Sequence, residues 1–265
     1  MIACKKLEFG PLVYWELTYR PWIVFPAYKS YLYFWKGALI DCGSSKNRPS
    51  VEHILQTNPV NACLLTHHHE DHAGNISLIS EKHVPIYIHP EGRRILESAE
   101  PLSFTSRWAY GTVELGSLLD LDPKTIMRDH GLLVMETPGH AQDHLVFYAP
   151  EDGILFSGDL YLGPKTPFFR SDELIVESIQ SLRRMLKLDF DVLCCAHEPV
   201  LKNGKTALKE KLEFLETIYY RTRDLYHRGY NKKAILKRLP IKENSLRKYF
   251  SGGNFSAINM VSSVI

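Results

Sequence analysis

Residues Thr66-His67-His68-His69-Glu70-Asp71-His72 crowd imidazoles and carboxylates together just where a short apolar run, Asn61–Thr66, stops. Side chains alternate along an extended chain, so His67 and His69, two apart, leave the same side and can reach one ion. Asp71 and His72 follow where the chain turns into a helix, and can reach a second position beside the first. Neutral imidazole and carboxylate are good ligands for zinc and acceptable ones for iron or manganese. Three further donors close apolar runs: His140 after Thr137-Pro138-Gly139, Asp159 after Ile154-Leu155-Phe156-Ser157-Gly158, and His197 after Leu193-Cys194-Cys195-Ala196. Donors at strand ends on a rigid sheet edge are how loops come to hold a site. His53, His83, His89, His130 and His227 stand in no such pattern and read as ordinary structural or solvated residues. His144 reads as a residue that supports the site rather than as a ligand.

The elements that must position these donors are legible as hydrophobic periodicity. Val13–Thr18 and Ser30–Trp35 are aromatic and branched, as strands are, and Ala38–Ile40 is a short apolar run before Asp41-Cys42-Gly43. Helices are expected over Pro49–Thr57, Ile76–Lys82, Glu91–Ser98 and Ile175–Leu186, and strands at Ile86–Ile88, Thr112–Leu115, Leu132–Thr137, Leu145–Tyr148, Ile154–Ser157 and Val192–Cys195. Leu208, Leu212, Leu215, Tyr219 and Tyr226 follow helical steps and predict one buried stripe of a long helix. Asn231–Leu239 and Lys242–Phe250 read as two shorter helices. Strands and helices interspersed in this way predict an α/β or α+β protein, with residues 1–200 as the catalytic domain and 201–265 as a basic helical C-terminal segment.

Composition narrows the classes. The chain has 265 residues, 45% of them hydrophobic and 23% charged, an ordinary globular mixture that excludes disordered, collagen-like and coiled-coil chains. No run approaches the length of a membrane helix, and no secretory pattern opens the chain, so no membrane partner and a cytoplasmic location are expected. Five cysteines (Cys4, Cys42, Cys63, Cys194, Cys195) without a C-x-x-C pair suit a reducing compartment, and alternation along a strand points Cys194 and Cys195 apart. The net charge is +2, yet residues 201–249 carry fourteen Lys and Arg against five acids, +9, leaving −7 for the remainder. A basic segment on an acidic body suits either a boundary or an anionic partner.

The ordered set His67-x-His69-x-Asp71-His72, Pro138-Gly139-His140, Gly158-Asp159 and His197 resembles the metallo-β-lactamase superfamily over about residues 12–200. Leu39-Ile40-Asp41-Cys42-Gly43 is similar to its L-I-D-T-G turn, with Cys42 in place of Thr. The resemblance implies an αββα sandwich with two metal ions at one edge, here followed by the helical C-terminal extension. It implies that His67, His69 and His140 take one ion and Asp71, His72 and His197 the other. Asp159 would bridge them with one oxygen on each, and a hydroxide would sit between. Zinc is the expected metal, with iron or manganese as alternatives, and Asp71 is the candidate catalytic residue for moving a proton. Within the superfamily, β-lactamases lack the bridging Asp and flavodiiron proteins carry Glu where His69 stands. The complete set looks instead like glyoxalase II and its many hydrolase relatives.

The leading expectation is therefore a dinuclear hydrolase of a small-molecule ester, thioester or lactone. A metal-dependent nuclease or phosphodiesterase is the alternative, on the basic segment and a looser resemblance to endoribonucleases of the superfamily with a helical appendage. A non-enzymatic binding protein would be favoured by missing donors, and none is missing. A mononuclear persulfide dioxygenase would not need the second set. A homodimer is kept as an alternative to a monomer. Ser103–Gly111, with Arg107, Trp108 and Tyr110, and Leu160–Arg170, with Tyr161 and Lys165 as donors, are the expected walls of the site. A narrow apolar pocket would favour acyl substrates and an open basic groove nucleic acid.

Overall fold

A computed structural model describes residues 2–20, 27–98 and 111–265. Two sheets carry the fold. The first runs β1 (Ile2–Phe9), β2 (Leu12–Tyr19), β3 (Tyr28–Trp35), β4 (Ala38–Ile40), β5 (Ala62–Leu64), β6 (Ile86–Ile88) and β7 (Leu119–Asp120) in that spatial order. The second has the order β11 (Val192–Cys195), β10 (Ile154–Gly158), β9 (Leu145–Ala149) and β8 (Leu133–Glu136).

The period-2 alternation of each strand sorts its side chains into different layers. Leu12, Tyr14, Tyr33, Trp35, Ala38, Ile40, Ala62 and Leu64 of the first sheet share one cluster with Leu145, Phe147, Ile154, Phe156, Val192 and Cys194 of the second. That cluster is the interface between the sheets. The alternate residues Trp15, Leu17, Leu32, Leu39 and Cys63 face outward against Val51 and Ile54 of α1 (Arg48–Thr57) and Ile76 and Ile79 of α3 (Ile76–Glu81). On the other side Val146, Leu155, Leu193 and Cys195 pack against Ile175, Ile179 and Leu182 of α6 (Ile175–Met185). The layers are thus helix, sheet, sheet, helix. Cys194 and Cys195 fall in different clusters, as the alternation requires.

The helical segment at the C-terminus joins this last layer. Leu208, Phe214, Leu215 and Ile218 of α7 (Gly204–His227), Ile235 of α8 (Lys232–Leu236) and Met260 and Val261 of α10 (Ala257–Ser262) belong to the same cluster as α6. Between the last two lies α9 (Ser245–Phe250). The buried face of α7 is Leu208, Lys211, Phe214, Leu215, Ile218 and Thr222. Leu212 and Tyr219 only flank it, and Tyr226 is 52% exposed, so the expected stripe is rotated and ends early. Tyr226 lies in the last turn of the helix.

Two elements depart from expectation nearby. Thr112–Leu115 is not a strand: Thr112 N–H donates to Ser45 Oγ (2.9 Å), and Leu115 is exposed. The edge strand is β7, paired with β6, and it leads into α5 (Pro123–His130). Asp122 caps that helix by accepting from Lys124 and Thr125 N–H, Pro123 opens it, and Gly131 in the left-handed region ends it. Leu96 of α4 (Pro90–Ser98) packs in the same cluster as Ile86 and Ile88 of β6.

Strand directions determine where the loops gather. β4 and β5 are parallel, β10 and β11 are parallel, and β3, β8 and β9 are antiparallel to their neighbours. The C-terminal ends of β4, β5, β8, β10 and β11 and the N-terminal ends of β3 and β9 therefore lie at one edge of the sandwich. Leu145 N–H to Thr66 O (2.8 Å) and Tyr31 N–H to Ala196 O (2.7 Å) tie the two sheets together there.

Candidate metal centre

Each chemically suggestive residue sits on one of those converging strand ends. His67 and His69 follow β5, and the single turn of α2 (Glu70–Ala73) swings Asp71 and His72 to the side. His140 follows β8, Asp159 follows β10 and His197 follows β11. Gly158, at φ +47°, is the last residue before Asp159, and a Cβ there would lie 2.8 Å from His144 Nε2 and 2.9 Å from Thr66, so only glycine lets the strand end so close to the histidines.

The donors form two groups, His67-His69-His140 and Asp71-His72-Asp159-His197, each with donor atoms within 4.8 Å of one another. His69 Nδ1 lies 2.9 Å from His67 Nε2 and 3.0 Å from His140 Nε2. His197 Nε2 is 3.2 Å from Asp71 Oδ2. The carboxylate of Asp159 is shared: Oδ2 is 3.5 Å from His140 Nε2, while Oδ1 is 3.3 Å from His72 Nε2 and 3.5 Å from His197 Nε2. All seven candidate ligands are thus brought together. His68 is not among them; its ring turns away to Asp143 (Nδ1 to Oδ1, 2.7 Å).

The residues around the donors fix ring orientation. Asp41 Oδ2 lies 2.8 Å from His72 Nδ1, and its Oδ1 accepts from Thr66 N–H (2.7 Å). Thr66 Oγ1 lies 3.0 Å from His67 Nδ1. Glu173 Oε2 stands 3.4 Å from His140 Nδ1, and Lys29 O lies 3.0 Å from His197 Nδ1. A histidine held through one nitrogen presents the other to the centre in a defined tautomer. His144 does not face a donor group. Its Nδ1 meets Thr137 Oγ1 (2.8 Å), and its Nε2 accepts from Asp159 N–H (3.1 Å), so it holds the backbone of Asp159. Tyr28 O–H donates to Asp71 Oδ2.

Burial and neighbouring imidazoles hold His67 well below the usual histidine range, and burial with Arg170 does the same for His69. These rings stay neutral, the form that ligates. Burial opposes charge at His72 and His197, but Asp159 and Asp71 raise both, with Asp41 adding to His72. Burial likewise opposes charge on Asp159, yet His197 and His72 keep it ionised. The buried atoms His72 Nε2 and Asp159 Oδ1 face each other without a hydrogen bond. A cation between them would satisfy both, and the nitrogen and oxygen donor set suits zinc, iron or manganese.

A cavity of about 300 Å³ opens over the donors. Leu162, Lys165, Thr166, Pro167, Phe168 and Arg170 line one wall, Tyr28 another, and Arg247 and Phe255 of the C-terminal segment complete it. Lys165 stands where expected. Tyr161 does not: it is 2% exposed, packed in the outer cluster, and burial pushes its hydroxyl up to about 12. Arg107, Trp108 and Tyr110 lie outside the described residues.

Residues 36–197 match the Metallo-beta-lactamase superfamily. The chain belongs to that superfamily. Among curated relatives, it is 27% identical over 208 residues to a hydroxyacylglutathione hydrolase of Bartonella quintana, covering 77% of this chain and 68% of that one. With the corresponding Bartonella henselae protein the match spans about half its length, 51%. A metallo-beta-lactamase family protein from Thermus thermophilus has the same fold, with TM-score 0.65 and 21% identity over 97% of this chain and 91% of that one. A protein solved in a di-iron-bound form aligns with TM-score 0.55 and 28% identity, covering 71% of this chain and 97% of that one. The chain is glyoxalase-II-like within its superfamily. Among the described residues no helix is long and apolar enough to cross a membrane.

Proposed function

We propose that the protein is a dinuclear metal-dependent hydrolase of a small ester, thioester or lactone, with a thioester as first candidate. The observation that carries this reading is the division of Asp159, one oxygen toward each donor group. In this reading His67, His69 and His140 hold one ion, Asp71, His72 and His197 the other, and Asp159 both. Zinc is the expected metal; the di-iron relative keeps iron as an alternative, beside manganese. Two such ions, when bound, make hydroxide available near neutral pH and draw charge from a carbonyl oxygen.

The chain's own residues do the rest. Asp41, Thr66 and Glu173 orient the imidazoles. Asp71, buried, bonded to Tyr28 and lining the cavity, is the group we assign to take the proton of the attacking hydroxide and pass it to the departing thiolate or alkoxide. Leu162, Pro167, Phe168 and Phe255 exclude water around the reacting carbonyl. A cavity of about 300 Å³, with Leu162, Pro167, Phe168 and Phe255 beside Lys165, Arg170 and Arg247, supports a small acyl substrate over nucleic acid. Some cations of the basic segment are spent on its own acids: Lys209 on Glu213, Arg228 on Asp224 and Lys248 on Glu243. We propose residues 201–265 as an appended segment that completes the cavity of a catalytic domain, and a reducing cytosol as the compartment, in keeping with five free cysteines.

The test is hydrolysis of generic thioesters, a hydroxyacylglutathione among them, by protein loaded with zinc or manganese. Activity should vanish with chelator, return with metal and fall as the pH drops below neutrality. His67→Ala and His72→Ala should each lose most of it. Full resistance to chelator contradicts the reading.

A further inference from the structure

An edge strand leaves half of its backbone groups unpaired, a template for another chain, and folded proteins blunt such edges. Three of the four sheet edges here are short or covered. β7 is two residues long, β8 is four, and Leu193 of β11 exchanges backbone hydrogen bonds with Val200 (2.8 and 2.9 Å). β1 is different. It runs eight residues in unbroken register with β2 and contains no proline, and six of the eight are exposed. Among the described residues no strand pairs with its outer side.

The turn decides which groups this edge offers. Phe9 pairs with Leu12 across the two-residue loop Gly10-Pro11, with Gly10 at φ +56°. The residues that close such a loop are a hydrogen-bonded pair, and bonding alternates from there. Phe9, Leu7, Lys5 and Ala3 therefore turn their backbone groups inward to β2, while Glu8, Lys6, Cys4 and Ile2 turn theirs outward. The side chains of Lys6 and Glu8 share one face, 2.9 Å apart and 53% and 63% exposed. A cation and an anion two residues apart on a free edge are self-complementary under a two-fold axis. With the axis at Leu7, Lys6 stands against the partner's Glu8 and Glu8 against the partner's Lys6, both at positions that exchange backbone hydrogen bonds. An axis at Lys6, Glu8 or Lys5 would set that charge against its own copy, which is unfavourable. Leu7, half-buried against the cluster between the sheets, would meet its own copy on the axis.

We propose that β1 is the interface of a homodimer, in which a second copy of this chain pairs with it antiparallel about a two-fold axis at Leu7. The two seven-stranded sheets become one, and the symmetry closes the assembly at two chains. One short strand from each copy makes a small contact, which belongs with weak, reversible dimers.

Sedimentation velocity of the full chain over a range of concentrations tests it. The wild type should pass from monomer to dimer as concentration rises, with a dissociation constant that increases with salt. Lys6→Glu and Glu8→Lys should each raise that constant about tenfold or more, because either one turns both charge pairs into like pairs. The two together should return it to within about threefold of the wild type, a rescue that mere damage to β1 would not show. The axis is tested by cross-linking with diamide. Leu7→Cys with Cys4→Ser should give a disulfide-linked dimer, since residues facing each other at a non-hydrogen-bonded position stand about 4.5 Å apart at Cα. Lys5→Cys with Cys4→Ser should not, and the other four cysteines are buried. A monomer at every concentration, single reversals that leave the constant unchanged, a double reversal as weak as the singles, or a wild-type dimer linked through Cys4 overturns the proposal.

Discussion

Asp41→Asn isolates the support beneath one half of the centre. Asp41 is 4% exposed and sits at φ +61°, a left-handed conformation that Asn also adopts readily, so the backbone should stay in place. Its carboxylate accepts from Thr66 N–H at 2.7 Å and faces His72 Nδ1 at 2.8 Å. With His72 Nε2 turned to the donor group, Nδ1 carries the proton, and both neighbours are N–H donors. An amide has one oxygen to offer, so in either flip an N–H group meets an N–H group. A buried donor without an acceptor costs about 1–3 kcal/mol. Loss of an outer partner to a ligating His typically weakens metal binding by about 10–100-fold, which is about 1.4–2.8 kcal/mol at roughly 1.4 per decade. The two routes agree. Competition against a chromogenic chelator, fitted to two dissociation constants, should show about 10–100-fold weakening of one constant and a smaller change in the other. Both constants within threefold of wild type, or equal weakening of both, would refute the reasoning.

Three further outcomes follow from the packing. His144→Ala should lower stability by at least about 1–3 kcal/mol, because Asp159 N–H loses a buried acceptor, while the ion count per chain stays at the wild-type value; thermal unfolding and metal analysis measure the two effects separately. Burial depresses Lys211 from 10.5 to about 8, so the unfolded chain binds more protons than the native one between those values. The burial penalty is therefore full below pH 8 and is relieved as the pH rises toward 10.5. The stability of the metal-free wild type minus that of Lys211→Met should rise by roughly 3 kcal/mol across that window, and a flat difference contradicts the buried charge. Leu215→Ala should cost about 2–5 kcal/mol in urea unfolding and Tyr226→Ala less than about 0.5, the reverse of what an evenly buried stripe requires.

Much of this arrangement is legible in the chain because short-range rules govern it. Apolar runs that end in His or Asp mark the strand ends that converge at the site edge, and alternation places Cys194 and Cys195 on opposite faces. Other features depend on pairing between remote segments. Thr112–Leu115 alternates like a strand, but it is Leu119–Asp120 that pairs with β6. The signals for α5, Asp122-Pro123 at one end and Gly131 at the other, are present, but the low apolar content between them hides the helix. Apolar spacing alone misplaces the stripe of α7 because Lys211 and Thr222 are buried in it, Lys211 donating to Thr166 Oγ1 at 2.8 Å beneath the cavity wall. Tyr28 and Glu173 carry no motif of their own, and Arg247 and Phe255 reach the cavity through tertiary contacts, among them Asn254 with Ser171 and Ser256 with Phe169. Asp41 is visible as part of a turn motif, but its role emerges only once His72 is beside it.

Native mass spectrometry of zinc-saturated protein tests the central claim most directly, because it counts ions on each folded chain. A centre in which Asp159 serves both donor groups predicts two ions per wild-type chain, one retained by His72→Ala, and weakened retention of both by Asp159→Ala at a zinc concentration that saturates the wild type. A single ion on the wild type, or two ions held with wild-type affinity by Asp159→Ala, would contradict it.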